Sequence, residues 1–228
     1  MTEGRSTTLQ LRRIMDDWTE FLDSGGQIDV IYTDFAKAFD KVPHQRLLAK
    51  LRSYGITKEM LQWIENFLCN CKQCVIINGV LSEWVTVRSG IPQGSILGPI
   101  LFLIYVNDLP DYCNESSTNC NMFLYADDAK LCRHITSQED NLSLQRAIDR
   151  FKNWSDTWLL ELNVSKCKVV SYSMKDRMGT SYSISDNGDT YTLDKKDKIN
   201  NLGVTFDYRL TFHDHIQEKL TGHIACWA

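Results

Sequence analysis

Apolar residues recur along the chain at the spacings of helices and strands. The stretch before the glycine pair 25–26 has helical spacing, with apolar side chains at Leu11, Ile14, Met15, Trp18, Phe21 and Leu22. The segment QIDVIYT then predicts a strand that ends at Asp34. Two further helices are predicted at residues 43–55, opened by proline and closed by glycine, and at residues 57–68.

The rest of the chain adds a hairpin, an apolar helix and a long amphipathic helix. Asn78-Gly79 marks a tight turn in CVIINGVLSEWVTV. The 11-residue run ILGPILFLIYV predicts a buried helix, because a membrane span needs roughly 20 residues. A loop, PDYCNESSTNC, leads from it to the strand of FLYADDAKL. The amphipathic helix SQEDNLSLQRAIDRFKNWSDTWLLEL is capped by Ser137. The strands CKVVSYS, TYTL and NNLGVTFD follow, and a last partial helix begins near His213.

This order of elements predicts an α+β fold. Strands interleaved with pairs of helices indicate a small antiparallel sheet with helices packed on one face. The chain has 228 residues, 43% of them hydrophobic, which is enough for one large domain. Its formal net charge of −4 argues against a free-standing nucleic-acid binder, for which a basic surface is expected.

Cysteine usage and the polar start of the chain predict an intracellular protein that is not secreted. Met1 is followed by TEGRSTT, which does not resemble a signal peptide, and the eight cysteines are expected to be reduced thiols. Cys69, Cys71 and Cys74 are close in sequence but have no second ligand pair at zinc-finger spacing. We therefore expect no metal site at these cysteines.

Two adjacent aspartates, Asp127 and Asp128, interrupt the apolar run FLYADDAKL at a predicted tight turn. Two carboxylates about 4 Å apart repel by roughly 4 kcal/mol at an effective dielectric of 20, so a cation must offset them. Lys130 follows, but a lysine at a hairpin edge is expected to be solvated.

Asp34 ends another predicted strand, so three carboxylates converge if the two strands lie side by side. Oxygen-only clusters select hard cations such as Mg²⁺, and a pair of ions supports in-line phosphoryl displacement. The alternative is structural, with Asp34 as a helix cap and the aspartate pair as a turn.

Five stretches in a fixed order resemble a known family. They are YTDFAKAFDKVPH, SGIPQGSILGPILFLIYVNDL, LYADDAKL, LNVSKCKVVSYS and INNLGVTFDYRLTFHDHI. They are similar to the successive palm motifs of reverse transcriptases from non-LTR (LINE-type) retrotransposons, most of all the jockey-like branch. The resemblance covers about residues 8 to 222. It implies a polymerase palm at 1–200 and, at 201–228, a primer-grip hairpin with the truncated start of a thumb, with fingers and thumb largely missing.

The resemblance also assigns catalytic roles. It implies that Asp34 and Asp127 hold two Mg²⁺ ions, for which Mn²⁺ could substitute, with Asp128 as a weaker or indirect metal ligand. The backbone carbonyl of Phe35 is expected to assist. Lys166 falls where a lysine is proposed to protonate the leaving pyrophosphate, although an exposed lysine is the ordinary interpretation of such a position.

Substrate-binding roles follow from the same motifs. Phe39 falls where the family carries a bulky side chain that excludes the 2′-hydroxyl of a ribonucleotide; the alternative is a core phenylalanine. Gln93 and Gly94 match the loop under the incoming nucleotide and the template base, although PQG by itself is only a turn. The turn and strand expected to grip the primer contain Leu202, Gly203 and Val204.

The implied activity is RNA-directed DNA polymerisation by two-metal nucleotidyl transfer. Its expected partners are an RNA template, a DNA primer and deoxynucleoside triphosphates in the nucleus, the cytoplasm or both, and no membrane. The alternative is a truncated, inert retroelement remnant that acts at most as a binding module. Cys71 and Cys74 favour that alternative, because relatives often have arginine or another polar residue there, as expected if this is a decaying copy.

Overall fold

The fold is built around a five-stranded sheet whose central strand is buried on both faces. The structure is a computed structural model that describes residues 7–69, 71–114 and 120–225. Its helices are α1 Thr7–Asp23, α2 Ala38–Lys41, α3 His44–Ser53, α4 Lys58–Cys69, α5 Leu97–Val106, α6 Leu109–Cys113, α7 Gln138–Trp158 and α8 His213–Ala225. A 3-10 turn lies at Val164–Lys166.

The strands form one central sheet and four small ribbons. They are β1 Gln27–Thr33, β2 Lys72–Gln73, β3 Ile76–Ile77, β4 Val80–Leu81, β5 Val85–Thr86, β6 Asn121–Tyr125, β7 Asp128–Ile135, β8 Lys168–Ser173, β9 Ser183–Asp186, β10 Asp189–Thr192, β11 Asp194–Lys195, β12 Lys198–Asn201 and β13 Val204–Asp207. The central sheet has the order β11-β8-β1-β7-β6. β1 pairs antiparallel with both β7 and β8, so it lies in the middle of the sheet.

The two faces of the sheet are covered by different elements. Ile31, Leu131 and Val169 face a large core built with α3, α4, α5 and α7. Alternate residues, such as Val30 and Tyr172, face the other side, where α1 and strand β13 pack. Successive strand residues point to opposite faces, so each central strand contributes to both cores.

Most of the predicted elements are confirmed. The helices predicted at residues 43–55 and 57–68 are α3 and α4, and the apolar run is α5, packed on the first core. Ser137 caps α7 with a reciprocal capping box. No described helix is both long enough and apolar enough to span a membrane.

Four details differ from the sequence prediction. Part of the segment predicted to be a loop forms α6, which starts with proline in its first turn and buries Cys113. The tight turn before β7 consists of Ala126 and Asp127, because Tyr125 pairs with Asp128. The short edge strand β11 runs parallel to β8. Finally, α1 lies on the face opposite the other packed helices, because its apolar stripe contacts Val30 and its neighbours on that face.

The predicted Asn78-Gly79 hairpin forms but projects away from both cores. Both turn residues have positive φ, at 49° and 82°, as a type I′ turn requires. Its apolar side chains are 57–72% exposed: Val75, Ile76, Ile77, Val80, Leu81, Trp84 and Val85. The hairpin therefore contributes little to the core of the described chain.

Candidate active site

Two of the predicted carboxylates face each other across adjacent central strands. β1 and β7 pair with Thr33 opposite Ala129, so continuing the register by one residue places Asp34 opposite Asp128. Strand alternation puts both on the face of α1 and β13, opposite α5. The side chain opposite Asp34 is therefore that of the second hairpin aspartate, whereas Asp127 occupies the turn.

A cavity of about 350 Å³ opens beside these two aspartates. Segments from four parts of the chain form its wall: the end of β1, the start of β7, the residues around the 3-10 turn, and the end of β12 with the turn after it. The lining residues are Tyr32, Thr33, Asp34, Asp128, Ala129, Lys130, Ser165, Lys166, Lys168, Ile199, Asn200, Asn201 and Leu202.

The electrostatics of the cavity depend on crowded carboxylates. Partial burial, followed by the negative charges of Asp127 and Asp34, raises the pKa of Asp128, and the charge of Lys130 partly opposes this. Asp34 has a cationic neighbour, because Lys166 Nζ lies 3.4 Å from its Oδ2. Lys166, predicted to be near the chemistry, is thus in contact with the first carboxylate.

The three carboxylates do not close into one cluster. Among the residues that the structure describes, no group of three or more His, Cys, Asp and Glu side chains is placed to hold a metal ion. Like charges repel, and Lys166 partly neutralises Asp34. The donors nevertheless suit Mg²⁺, which binds proteins through one or two carboxylates and takes substrate phosphates for the rest of its shell.

The sequence predicted a solvated Lys130, and the structure shows that its side chain is buried. It is 4% exposed, and its Nζ donates to Oδ1 of Asn201, which is 3% exposed. Burial lowers the pKa of Lys130 to about 8, against the opposing charge of Asp128. No local sequence pattern signals this contact, because 71 positions separate the two residues.

The two phenylalanines of the first motif lie in the first core. Phe35 is 5% exposed and stacks on Phe151, with ring centroids 5.5 Å apart. Backbone hydrogen bonds flank it on both sides, from Asn163 N to Asp34 O and from Ala36 N to Glu161 O, so its own carbonyl points away from that segment.

Phe39 is half-buried and stacks on Phe102, with centroids 4.5 Å apart. Its aromatic ring is therefore packed as expected for a core phenylalanine, which was the alternative interpretation of this residue.

The PQG loop lies directly against the segment of Phe39. The backbone N–H of Ile91 donates to the carbonyl of Phe39 at 2.8 Å, and Gln93 Nε2 donates to Asp40 Oδ1 at 3.0 Å. Gly94 is exposed with φ +80°. Gln93 and Gly94 thus belong to a loop that contacts the segment of Phe39, although neither lines the cavity of Asp34.

Gly90 is a residue that the sequence analysis missed. It has φ +91°, and a Cβ there would lie 2.7 Å from the carbonyl oxygen of Asp40. Only glycine permits so close a backbone approach. The signal in the sequence that could have identified Gly90 is its position two residues before the PQG loop.

One of the three predicted primer-grip residues, Leu202, lies at the rim of the cavity. Leu202 and Gly203, with φ 50° and 82°, form the turn between β12 and β13, and Leu202 lines the cavity. Val204 packs against the second core. The hairpin starts at Lys198, so the proposed domain division at 200/201 falls within β12; that division stays a prediction.

The cysteine cluster takes part in local packing. Cys69 Sγ lies 3.7 Å from Nδ1 of His44, whose Nε2 is 2.7 Å from the carbonyl of Gly90. Cys71 Sγ donates to the carbonyl of Phe67. These contacts are those of structural thiols.

A small sheet whose central strand is directly followed by an aspartate, facing a hairpin with two more, is the arrangement found in the palm class of nucleic-acid polymerases. The profile of the family described as "Reverse transcriptase (RNA-dependent DNA polymerase)" matches residues 5–206. The chain belongs to this family.

Curated relatives place it among sequences of non-LTR retrotransposons. It is 30% and 29% identical over 214 residues to the "RNA-directed DNA polymerase from mobile element jockey" of Drosophila funebris and Drosophila melanogaster, respectively. In both cases the alignment covers 92% of this chain and 23% of the relative. The chain therefore spans about a quarter of the length of these relatives.

Solved structures support the fold. Apo telomerase from Candida tropicalis, truncated from the C-terminal domain, superposes with a TM-score of 0.62 at 15% identity. The match covers 92% of this chain and 40% of that one. At this identity the likeness concerns the fold alone, and it agrees with the polymerase palm predicted from sequence.

Proposed function

We propose that the chain is the catalytic palm of an RNA-directed DNA polymerase that adds deoxynucleotides to a primer 3′-hydroxyl on an RNA template. One observation carries the proposal. Asp34 and Asp128 face the same cavity from adjacent strands, with Asp127 next to them in the turn. Burial, followed by the charges of Asp127 and Asp34, raises the pKa of Asp128. Such a crowd of carboxylates is the electrostatic condition under which cations, and with them a triphosphate, are attracted.

In this proposal the carboxylates provide the metal ligands. Asp34 and Asp127 would hold two Mg²⁺ ions, or Mn²⁺, with Asp128 as the weaker ligand. When bound, the ions supply electrostatic stabilisation of the attacking and leaving oxygens. The chain itself orients the primer hydroxyl and the α-phosphate, and this positioning is the protein's main contribution to phosphoryl transfer.

The remaining site residues are proposed to assist the release of pyrophosphate, to select the sugar of the incoming nucleotide and to support the primer. In this proposal the ammonium of Lys166, which lies 3.4 Å from Asp34, donates a proton to the leaving pyrophosphate. Phe39, held against Phe102 and next to the PQG loop, would set the space under the sugar. The Leu202–Gly203 turn would support the primer strand at the rim of the cavity. This chemistry belongs where template and primer are found, in the nucleus or cytoplasm.

A chimera tests this function. We join the 228 residues to the flanking segments of a jockey-type relative and measure primer extension on an RNA template with Mg²⁺. We expect extension by the chimera and its loss, by several orders of magnitude, in Asp127→Asn, since each tenfold in rate corresponds to about 1.4 kcal/mol of lost transition-state stabilisation.

The matched control is Asp189→Asn. It removes one exposed carboxylate from β10, which belongs to a separate two-stranded ribbon. Extension by this control should equal that of the parent chimera. A chimera that retains its activity with Asp127→Asn would refute the proposed mechanism.

A further inference from the structure

A buried lysine and a buried asparagine lie behind the catalytic aspartates and play no part in the mechanism above. Lys130 follows Asp128 by two residues on the same face of β7. Its Nζ donates to Oδ1 of Asn201, the last residue of β12, directly before the turn at Leu202. This contact joins the strand of the catalytic hairpin to the primer-grip hairpin.

The pair has more hydrogen-bond donors than partners. Among the buried side-chain nitrogen and oxygen atoms of the described residues, Asn201 Nδ2 is the one that has no hydrogen-bond partner. The Lys130 ammonium has three N–H donors, and Asn201 Oδ1 is its hydrogen-bond acceptor, while the ring of Tyr32 lies 5.8 Å from Nζ. Unpaired buried donors are costly and call for an explanation, such as a ligand that binds there.

The location of these donors indicates the ligand. Lys130 and Asn201 line the same cavity as Asp34 and Asp128, so its lining includes residues with unpaired donors and a positive charge. A ligand that matches them offers oxygen acceptors and a negative charge, as a phosphate group does.

We propose that Lys130 and Asn201 form a phosphate-binding wall of the catalytic cavity. Lys130 fixes the amide of Asn201 so that Nδ2 donates to a phosphate oxygen of the bound substrate. The ammonium can only donate, so it holds Oδ1 and leaves Nδ2 turned away from itself. Asn201 is thus a binding residue and Lys130 a positioning residue.

This inference deepens the proposed function, because it names a phosphate subsite of the same cavity. Two substrate groups have the required chemistry. One is a phosphodiester of the strand that lies on the Leu202 turn, and the other is the triphosphate of the incoming nucleotide. The experiment below separates them.

The test is a binding measurement without metal and without catalysis. The 228-residue protein is labelled with ¹⁵N-asparagine, and the side-chain NH₂ resonance of Asn201 is followed by NMR. One titration uses inorganic pyrophosphate, and the other uses a short DNA oligonucleotide without terminal phosphates. We expect a saturable shift of that resonance. If the resonance shifts only with pyrophosphate, the ligand of this subsite is the triphosphate of the incoming nucleotide. If it shifts only with the oligonucleotide, the ligand is a phosphodiester of the nucleic-acid strand.

Asn201→Asp separates phosphate binding from a purely structural link. The aspartate keeps an oxygen for Lys130 but replaces the NH₂ donor with a second acceptor. We expect this variant to remain folded and to bind the responding probe at least about tenfold more weakly, the loss expected for one charge-assisted hydrogen bond. Its affinity is read from the shifts of backbone amides around the cavity.

Lys130→Met should weaken the same affinity, and Lys50→Met is its matched control. Lys50 is also 4% exposed, but it lies away from the cavity, where its Nζ donates to the carbonyl of Tyr105 and to Asp108. The control should bind the probe like the unchanged protein, whatever its effect on thermal stability.

Three results would overturn the proposal. The first is the absence of a saturable shift with both probes at millimolar concentration. The second is an Asn201→Asp affinity equal to that of the unchanged protein. The third is equal weakening by Lys50→Met and Lys130→Met. Because no metal or primer extension is involved, these outcomes are independent of whether the chimera polymerises.

Discussion

At the scale of single residues, the site depends on how close two backbone segments approach. Gly90 N donates to the carbonyl of Val42, and the next residue, Ile91, donates to the carbonyl of Phe39. The φ of +91° at Gly90 directs both bonds, and its missing side chain leaves room for the backbone of Asp40. The loop carrying Gln93 therefore depends on this glycine for its position beside Phe39.

We predict that Gly90→Ala destabilises the fold by roughly 2–4 kcal/mol, because left-handed strain of about 1–2 kcal/mol adds to an overlap with backbone that cannot rotate away. Thermal unfolding followed by circular dichroism measures the change. Gly79→Ala is the control, since Gly79 has φ +82° but a Cβ at that position would meet nothing within 4 Å. Equal losses in the two variants would show that the contact with Asp40 is unimportant.

At the scale of elements, the N-terminus of α7 is fixed to the sheet by one carboxylate. Asp140 accepts hydrogen bonds from the backbone and hydroxyl groups of Thr136 and Ser137 and from Arg133 on β7. Burial acts to raise the pKa of Asp140, but these hydrogen bonds outweigh it and hold that pKa well below its usual range. The ionised form is therefore favoured by folding.

We predict that Asp140→Asn lowers the free energy of unfolding by about 2 kcal/mol at pH 7, since the variant loses charge-assisted hydrogen bonds and part of the capping box. The folded pKa is depressed, so the stabilisation is present above the unfolded pKa of about 3.9 and is lost as pH falls through the folded value. Denaturant unfolding at pH 7 and pH 3 should show the difference between the two proteins shrinking in acid.

Glu139→Gln is the control for this helix terminus. Glu139 pairs with Arg146, which lies two turns further along α7, but the glutamate side chain is 67% exposed, so we expect a change below about 0.5 kcal/mol at either pH. A difference for Asp140→Asn that stays constant between pH 7 and pH 3 would contradict the electrostatic explanation.

The projecting hairpin around Asn78-Gly79 is an element that forms without packing on either core. Its turn is specified locally by Asn78-Gly79, so it forms without a core to support it. Its exposed apolar residues are concentrated in one short segment, whereas exposed apolar residues of a surface are usually scattered singly.

At the scale of the whole molecule, charge limits what the chain can do alone. Its formal net charge is −4, and phosphate contacts with basic side chains supply much of the affinity of a protein for nucleic acid. The relatives are about four times longer than the aligned region.

We predict that the isolated 228-residue protein gives no detectable primer extension on an RNA template with Mg²⁺, because it holds template and primer too weakly. Gel-based extension at low salt, where electrostatic affinity is greatest, is the measurement. The chimera described above is the positive control. Robust extension by the isolated chain would show that the palm by itself carries sufficient contacts.

The sequence by itself determined the local elements and the family. Helix α7, its cap Ser137 and the Asn78-Gly79 turn follow from patterns of a few residues, because periodicity, capping and turn geometry act over short distances. The placement of Asp34 at the end of a strand was also readable, and five ordered motifs identified a reverse transcriptase before any geometry was known.

Only the tertiary structure decided which distant residues meet. Strand register placed Asp128 opposite Asp34 and left Asp127 in the turn. A shift of one residue that brought Asp127 opposite Asp34 would have turned Asp128 to the other face of the sheet. Burial of Lys130 against Asn201 depends on the ribbon of β12 and β13 packing on the face of the central sheet that carries Lys130, although 71 positions separate the two residues. Local patterns carry no information about such contacts, because the packing of the whole chain brings them together.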